Sequence, residues 1–253
     1  MILEALNLSK TFYTERGKVW ALHNVSFDVK EGEFVSLVGP SGCGKTTVLR
    51  IIAGLDKPSE GTVKLRGEVI QKANKDLGFV FQSPNLLPWR TTFANVILPL
   101  EVLGINTAEN RQRAHDLLKL VGLSSFEDKF PRELSGGMQQ RAGIARGLVH
   151  DPSILLMDEP FGALDAITRE MMNFELLSIW EKSKKTICFV THSISEAVLL
   201  SDRVLVMKPS PGEIIKEVEI DLPRPRTMEM LTERNFLDQV QQIRDLIGKY
   251  YII

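Results

Sequence analysis

The stretch that decides the fold is residues 34–47, which reads FVSLVGPSGCGKTT. Its first five residues, FVSLV, have the length and apolar character of a strand buried on both faces of a sheet. A glycine-rich loop follows at once, and an apolar-periodic stretch then continues to Ala53 and stops at Gly54. The order of strand, glycine loop and helix predicts a phosphate-binding loop.

The loop matches the pattern G-x-x-x-x-G-K-[ST], in which glycines let successive backbone N–H groups point at one place. The following helix adds the positive end of its dipole. We expect Lys45 to place its charge on the β- and γ-phosphates of ATP, and the hydroxyl of Thr46 to ligate Mg²⁺. The predicted nucleotide-binding residues are Gly39, Pro40, Ser41, Gly42, Cys43, Gly44, Lys45, Thr46 and Thr47.

A second element, ILLMDE at 154–159, ends an apolar strand in two adjacent carboxylates. Ligands of open α/β sheets bind at the carboxyl ends of the strands, which is where these side chains are expected. Asp158 is the predicted Mg²⁺ partner. Glu159 is the predicted general base for the attacking water, and the ATPase prediction rests on this pair together with the loop.

The remaining chain predicts one α/β core with two additions. Residues 1–30 alternate in a way typical of antiparallel strands joined by a turn near Glu15, Arg16 and Gly17. Strand-like runs alternate with helical segments elsewhere, which predicts a parallel sheet covered by helices. Only helical patterns occur in an insertion at about 84–145. The predicted runs are strands at 77–82, 153–157, 186–190 and 203–207, and helices at 166–182 and 194–200.

Composition excludes several classes of protein. The 253 residues include 31 Lys plus Arg and 32 Asp plus Glu, a net charge of −1 that gives no support for nucleic-acid binding. The longest run without a charged residue, 77–89, contains two prolines and is too short for a bilayer span. The first ten residues do not resemble a secretory signal. Two cysteines, Cys43 and Cys188, make no disulfide framework.

Five further motifs give a family resemblance. LSGGMQQR at 134–141 resembles the signature motif of ATP-binding-cassette (ABC) ATPases, and Gln82 resembles their Q-loop residue. GALD at 162–165 resembles the D-loop, and His192 resembles the switch histidine. Phe12 stands where the family has an aromatic residue that stacks on adenine. The motifs follow the family's order, and the resemblance covers about residues 1–220.

The resemblance implies a fold class and a set of roles. The fold is an α/β P-loop NTPase (RecA-like) core with an N-terminal antiparallel β subdomain and an inserted α-helical subdomain. Two copies form a head-to-tail homodimer that sandwiches two nucleotides. Ser135, Gly136 and Gly137 face the γ-phosphate held by the other copy, and Asp165 organises the dimer seam.

Three more residues receive roles from the resemblance. Gln82 approaches Mg²⁺ and the attacking water, and His192 contacts the γ-phosphate. Phe12 stacks on adenine, although Tyr13 and Trp20 lie close enough in sequence to compete for that role. The signature has Met138 where the commonest version has Gln, a difference that we expect to spare the anion site.

The sequence is less informative about the process that ATP hydrolysis drives. A DNA-maintenance ATPase is disfavoured because only 52 residues separate Gln82 from Ser135, too few for a long coiled coil. The apolar stretch between Pro84 and Trp89 resembles the family's groove for an integral membrane permease subunit. This favours a peripheral transporter subunit on the cytoplasmic face of the membrane, served indirectly by a solute-binding protein. A scaffold ATPase with a soluble partner is the alternative.

The C-terminal part narrows the transporter class. Residues 209–226 are similar to ATPase subunits of the nitrate, sulfonate and taurine importer group, so a small anion is the expected solute. We predict an ATPase domain at 1–222 and a helical extension at 223–253. Its apolar face is predicted to contain Leu237, Val240, Ile243 and Ile247. That face either docks on the core or binds a partner.

Overall fold

The computed structural model describes residues 1–15, 17–162 and 164–250. The strands are β1 (Leu3–Thr14), β2 (Gly17–Val29), β3 (Phe34–Val38), β4 (Glu60–Leu65), β5 (Glu68–Val69), β6 (Leu77–Val80), β7 (Ile154–Asp158), β8 (Thr186–Thr191), β9 (Arg203–Lys208) and β10 (Glu213–Glu219). The α-helices are α1 (Lys45–Ile52), α2 (Thr92–Val96), α3 (Leu98–Val102), α4 (Ala108–Leu120), α5 (Gly136–Leu148), α6 (Ala166–Ser183), α7 (Ile194–Leu200) and α8 (Arg234–Gly248). Two compact units contain these elements: Met1–Asn74 with Lys184–Ile253, and Lys75–Ser183.

The first unit is organised around β3, the strand predicted from FVSLV. It pairs in parallel with β8 on one side and with β9 on the other, so that Leu37 lies opposite both Val190 and Leu205. All five residues of β3 are buried, as expected for a strand covered on both faces. The glycine-rich loop therefore begins at the end of a buried strand that is paired on both sides.

A second sheet in the same unit has the order β2, β1, β4, β5, with every pairing antiparallel. This confirms the predicted antiparallel strands at the N-terminus. The predicted turn includes Arg16, which lies outside the described residues. Thr14 and Gly17 pair directly on either side of it.

The second unit joins a pair of parallel strands, β6 and β7, to a run of helices. Between residues 81 and 153 its described part contains α2 to α5 and two 3₁₀ turns, with no strand, as the helical insertion predicts. Gly78 of β6 permits a close approach to α5. A Cβ added there would lie 2.3 Å from the carbonyl oxygen of Gly147.

Two details differ from the predictions. Strand β10 was not anticipated, because its alternating side chains include the exposed charges Lys216, Glu217 and Glu219. Charged side chains of this kind are common on strands that pair on one side only. The prediction for β6 extended two residues too far, to Gln82 rather than Val80.

Helix α8 docks on its own unit, against α7 and β9. Phe236, Val240, Ile243 and Ile247 are buried, whereas the predicted face residue Leu237 is 52% exposed. Leu237 was therefore wrongly assigned, because the buried stripe turns toward Phe236. None of the described helices combines the length and the apolar character needed to cross a bilayer. The domain boundary at residue 222 stays a prediction.

Candidate functional site

The glycine-rich loop connects β3 to α1 in the first unit. Gly42 and Gly44 have φ values of 80° and 92°, in the left-handed region that favours glycine. A Cβ added to Gly44 would lie 2.5 Å from Leu22 Cδ2 and 2.9 Å from the carbonyl oxygen of Ala21. Gly44 is thus required both by the backbone conformation and by the β2 strand packed against it.

Lys45 is the first residue of α1 and is only 5% exposed. Its Nζ donates to the carbonyl oxygens of Gly39 at 2.9 Å and Pro40 at 3.1 Å. The ammonium group is therefore held across the loop by the loop's own backbone. A buried cation beside a helix N-terminus suits a phosphate group, so this loop fits the predicted nucleotide.

The neighbours of Lys45 divide into packed and accessible side chains. Cys43 is completely buried, and burial raises the pKa of its thiol even though Lys45 opposes the shift. The side chain of Thr46 is exposed beside the loop, and Thr47 is partly exposed. A hydroxyl oxygen at Thr46 belongs to the oxygen donor class that Mg²⁺ prefers.

Sequence reasoning missed Gly212, which lies in the turn between β9 and β10. Its N–H donates to the carbonyl of Ala21, and its carbonyl accepts from the N–H of His23. A Cβ added to Gly212 would lie 2.1 Å from the carbonyl oxygen of Cys43. The turn therefore rests directly on the phosphate loop. Nothing in the sequence around Gly212 indicated this contact.

Gly212→Ala should weaken MgATP binding by about 10-fold, because displacing the loop weakens its hydrogen bonds to the charged phosphates, each of which contributes about 1.5–3 kcal/mol. The added methyl group has to push the backbone of the phosphate loop, since both close atoms are carbonyl oxygens. Isothermal titration with MgATP measures the effect. Gly248→Ala is the matched control, because a Cβ there meets nothing within 4 Å. Equal affinities for the two variants would contradict the contact's importance.

The three candidate adenine aromatics lie on two faces of the β1–β2 ribbon. Lys10 pairs with Leu22 and Thr11 pairs with Trp20, so β2 contains one extra residue at Ala21. Lys10, Phe12 and Leu22 share one face through direct pairing and ordinary alternation. The bulge moves Trp20 to the other face, which it shares with Tyr13.

The face of Phe12 is the one nearer the phosphate loop, since Leu22 on that face contacts Gly44. The Nζ of Lys10 lies 5.0 Å from the centre of the Phe12 ring, which keeps the ring on this face. The geometry favours Phe12 over Tyr13 and Trp20 for the adenine contact. The assignment itself remains a prediction.

His192 follows the last residue of β8 and is exposed at the carboxyl end of that strand. The adjacent Ser193 caps α7 by accepting from the N–H of Glu196. The N–H of Ser193 donates to the hydroxyl of Thr191. The histidine thus lies between two residues whose positions are fixed by hydrogen bonds.

In the second unit, β7 ends in the predicted pair of carboxylates. Asp158 is buried at the strand end, and Glu159 follows with a φ of 43°. A non-glycine residue in this left-handed region carries a strain of about 1–3 kcal/mol, a feature that clusters at active sites. Two carboxylates beside a strand end fit the hard oxygen donors that Mg²⁺ requires.

Gln82 and Glu159 both lie close to Gly162 of the same unit. A Cβ added to Gly162 would lie 3.4 Å from Gln82 Nε2 and 3.6 Å from Glu159 Oε2. A cavity of about 340 Å³ opens beside them and is lined by Gln82, Gly136 and Leu164, among others. The structure therefore brings the predicted Q-loop residue together with the predicted base and the start of the signature helix.

The signature motif opens helix α5. Ser135 is its N-cap, and the serine hydroxyl accepts from the N–H of Met138 at 3.3 Å. Gly136 and Gly137 form the first turn, where backbone N–H groups have no partner inside the helix. Met138 contributes its backbone to this cap, so the departure from Gln leaves the cap in place.

Asp165 precedes α6 and accepts from the N–H of Thr168 at 3.0 Å. Hydrogen bonds with Thr168 hold the pKa of the Asp165 carboxyl below its usual range. Arg169 donates to the carbonyls of Phe161 and Leu164, which fixes the described part of the D-loop. Ala163 lies outside the described residues.

Two residues of α5 that the sequence did not single out bind the segment around Gln82. Gln140 Nε2 donates to the carbonyl of Phe81 at 3.4 Å. Arg146 donates to the carbonyls of Pro84 and Asn85. These bonds tie the Q-loop and the apolar stretch after it to the signature helix. Only their polar character marked them in the sequence, a signal shared by many surface residues.

Comparisons with known proteins add independent findings. The sequence pattern described as "ABC transporter" matches residues 22–162. The taurine import ATP-binding protein TauB of Rhizobium johnstonii is 50% identical, covering 81% of this chain and 79% of its own. The aliphatic sulfonates import ATP-binding protein SsuB of Bacillus anthracis is 45% identical over 89% of each chain. The nitrate import ATP-binding protein NrtD of a Synechocystis strain is 43% identical, covering 98% and 95%.

Among solved structures, the chain resembles a dimeric ATP-binding cassette in a post-hydrolysis state bound to ADP and phosphate. The TM-score is 0.76 at 38% identity, covering 87% of this chain and all of the other. Together with the mixed α/β sheets, this match confirms the predicted P-loop NTPase fold class.

Proposed function

The chain belongs to the ABC transporter family, and on that premise we propose that it is the ATP-hydrolysing subunit of a bacterial importer. The proposed solute is a small anion such as nitrate, a sulfonate or taurine, as in the names of the relatives. The observation that carries the ATPase function is the buried ammonium of Lys45, held inside a glycine loop between β3 and α1.

Nucleotide binding is assigned residue by residue. Lys45 and the loop backbone hold the phosphates, and Phe12 stacks on adenine. Thr46, Asp158 and Gln82 are the residues that would hold Mg²⁺. When bound, the ion neutralises charge that develops on the phosphate oxygens.

Hydrolysis requires a water activated beside the γ-phosphate. Glu159 takes a proton from that water, and Gln82 orients it. His192 donates a hydrogen bond to the γ-phosphate. Support for the pairing of Glu159 with Gln82 comes from their shared position around Gly162.

Coupling of ATP hydrolysis to transport requires two copies of the chain. In each copy the N-terminal turn of α5, with Ser135, Gly136 and Gly137, receives the γ-phosphate held by the other copy, and Asp165 lies at the seam. The exposed α5 N-terminus supports this because its N–H groups and helix dipole favour an anion. The dimeric cassette described above supports the two-copy arrangement. ATP binds the closed pair more tightly than the open pair and so shifts the population toward closure.

The permease contact is assigned to an apolar surface on the second unit. A cavity of about 360 Å³ is lined by Phe79, Phe81, Val102 and His150, among others. Asn85, which belongs to the predicted contact stretch at 84–89, also lines this cavity. Val102 of the lining is 77% exposed, and Trp89, at the far end of that stretch, is 72% exposed. Exposed apolar patches of this kind commonly mark partner surfaces, so this one suits a short helix of a membrane subunit. His150 is partly buried here, and burial lowers its pKa.

Trp89→Ala should weaken assembly with the membrane subunits by about 10-fold or more, as expected for a large exposed aromatic at an interface. Binding of MgATP should be unchanged. Co-purification from detergent-solubilised membranes, quantified against subunit concentration, measures the effect. Leu237→Ala removes another exposed apolar side chain, on α8, and serves as the control. Wild-type assembly of the Trp89→Ala variant would indicate that this surface has a structural role and does not contact the permease.

A pull-down from solubilised membranes tests the importer proposal itself. We expect the tagged chain to co-purify with integral membrane permease subunits. We also expect it to behave as a peripheral protein of the cytoplasmic face of the membrane. The solute-binding protein is expected only through the permease, and nucleic acid is not expected. Recovery of a soluble partner without any membrane subunit would favour the scaffold ATPase instead.

A further inference from the structure

The C-terminal extension contacts a helix that begins next to His192. Arg226 Nη1 donates to the carbonyls of Val198 at 3.0 Å and Leu199 at 2.7 Å. Arg224 Nη2 donates to the carbonyl of Leu200 at 2.8 Å. These three residues end helix α7. Its last carbonyls lack partners within the helix and are here supplied with side-chain donors.

Arg226 is placed where its charge stabilises the C-terminal end of α7. Arg226 is 5% exposed, and its guanidinium lies at the negative end of the α7 dipole. Burial lowers the pKa of Arg226 to about 10, with a further contribution from the Arg224 charge, so the side chain stays cationic at neutral pH. A buried charge that loses its partners is strongly destabilising, so Arg226 favours the position of α7 in which these carbonyls meet its guanidinium.

Arg224 extends the connection to the strand that carries the phosphate loop. It donates to Asp202 Oδ1 at 2.8 Å and 3.0 Å. The other oxygen of Asp202 accepts from the N–H of Phe34 at 2.9 Å. Phe34 is the first residue of β3, so one carboxylate ties the C-terminal extension to the central strand.

The N-terminal end of α7 is fixed by hydrogen bonds next to His192. The Thr191 hydroxyl donates to the buried carboxylate of Glu196 at 2.5 Å, and the same hydroxyl accepts from the N–H of Ser193. His192 lies between these two residues. Helix α7 has only seven residues, a length at which isolated helices are unstable and end contacts matter most.

We propose that Arg226, assisted by Arg224, is a positioning residue for hydrolysis that acts through α7 on His192. This rests on the proposed function, in which His192 contacts the γ-phosphate. Neither arginine is among the residues assigned to the nucleotide or to Mg²⁺, and both donate to carbonyls of α7. They hold the carbonyl end of α7, and α7 in turn sets the backbone from which His192 projects.

A double-mutant cycle on the 253-residue chain tests this inference. Arg226→Gln should lower kcat for MgATP hydrolysis by about 10-fold and change the MgATP Kd by less than about threefold. His192→Ala alone should lower kcat further. In the His192→Ala background, Arg226→Gln should cause no additional loss, because residues that act through one group are not additive. Arg226→Lys, which keeps the charge and N–H donors but not the planar guanidinium, should recover part of the rate.

The control is Arg234→Gln, which changes an exposed residue of α8 and should have wild-type kcat. Equal losses from Arg226→Gln in both backgrounds, or no loss in either, would overturn the inference. If Arg226→Gln lowers the unfolding temperature below the assay range, the same cycle with Arg224→Gln decides by the same criterion. A wild-type kcat for His192→Ala would instead defeat the role proposed for His192, and with it this inference, in a single measurement.

Discussion

Glu159→Gln should reduce kcat for MgATP hydrolysis by about 10²–10⁴-fold, the range contributed by a positioned general base. The change replaces a proton acceptor with an amide of the same shape. Lys45 and the phosphate loop are untouched, so MgATP should bind with nearly wild-type affinity. Steady-state phosphate release and equilibrium nucleotide binding separate the two effects.

The same variant should accumulate as a dimer. Hydrolysis is proposed to permit reopening, so blocked hydrolysis should trap two copies around two MgATP. Size-exclusion chromatography with and without MgATP measures the trapped fraction. Glu170→Gln, an exposed carboxylate on α6, is the control and should behave as wild type. Turnover of the Glu159 variant at near wild-type rate would remove Glu159 from the base role.

Lys45→Ala should weaken MgATP binding by about 10- to 100-fold. A hydrogen bond to a charged group contributes about 1.5–3 kcal/mol, and about 1.4 kcal/mol corresponds to a factor of ten. Lys45 is nearly buried and projects across the loop, so nothing nearby in the loop replaces its charge. Titration of MgATP against the purified chain measures the loss.

A matched control separates specific from general charge effects. Lys30→Ala removes an exposed lysine of the same unit and should leave the affinity unchanged. Unchanged affinity in Lys45→Ala itself would contradict the assignment of the phosphate loop. A large loss of stability in that variant would appear separately as a lowered unfolding temperature.

The local sequence was sufficient to predict the elements that present the site. FVSLV and ILLMD are short apolar runs, and each ends where the predicted chemistry begins. The glycines made the turn after β3 recognisable in the sequence. In the structure, Gly42 and Gly44 have φ values that other residues avoid. The Q-loop, D-loop and signature assignments depended instead on family resemblance, because their residue types are common in any surface loop.

The features that the sequence did not reveal are contacts between distant segments. Gly212 lies far along the chain from Cys43, and only the folded structure brings their backbones together. The face on which Trp20 lies depends on one extra residue at Ala21 of β2, because a bulge reverses the alternation of side chains beyond it. Leu237 was misassigned for a similar reason, since the position of a helical stripe depends on what packs against it.

The measurement that tests the central claim most directly is ATP hydrolysis by the chain assembled with its membrane subunits and binding protein in liposomes. Nitrate, an aliphatic sulfonate, taurine and a pyrimidine precursor would each be added in turn. We predict that one of the small anions raises the hydrolysis rate severalfold and that Glu159→Gln abolishes the increase. An assembled complex whose hydrolysis responds to none of these solutes, and which takes none of them up, would contradict the importer function.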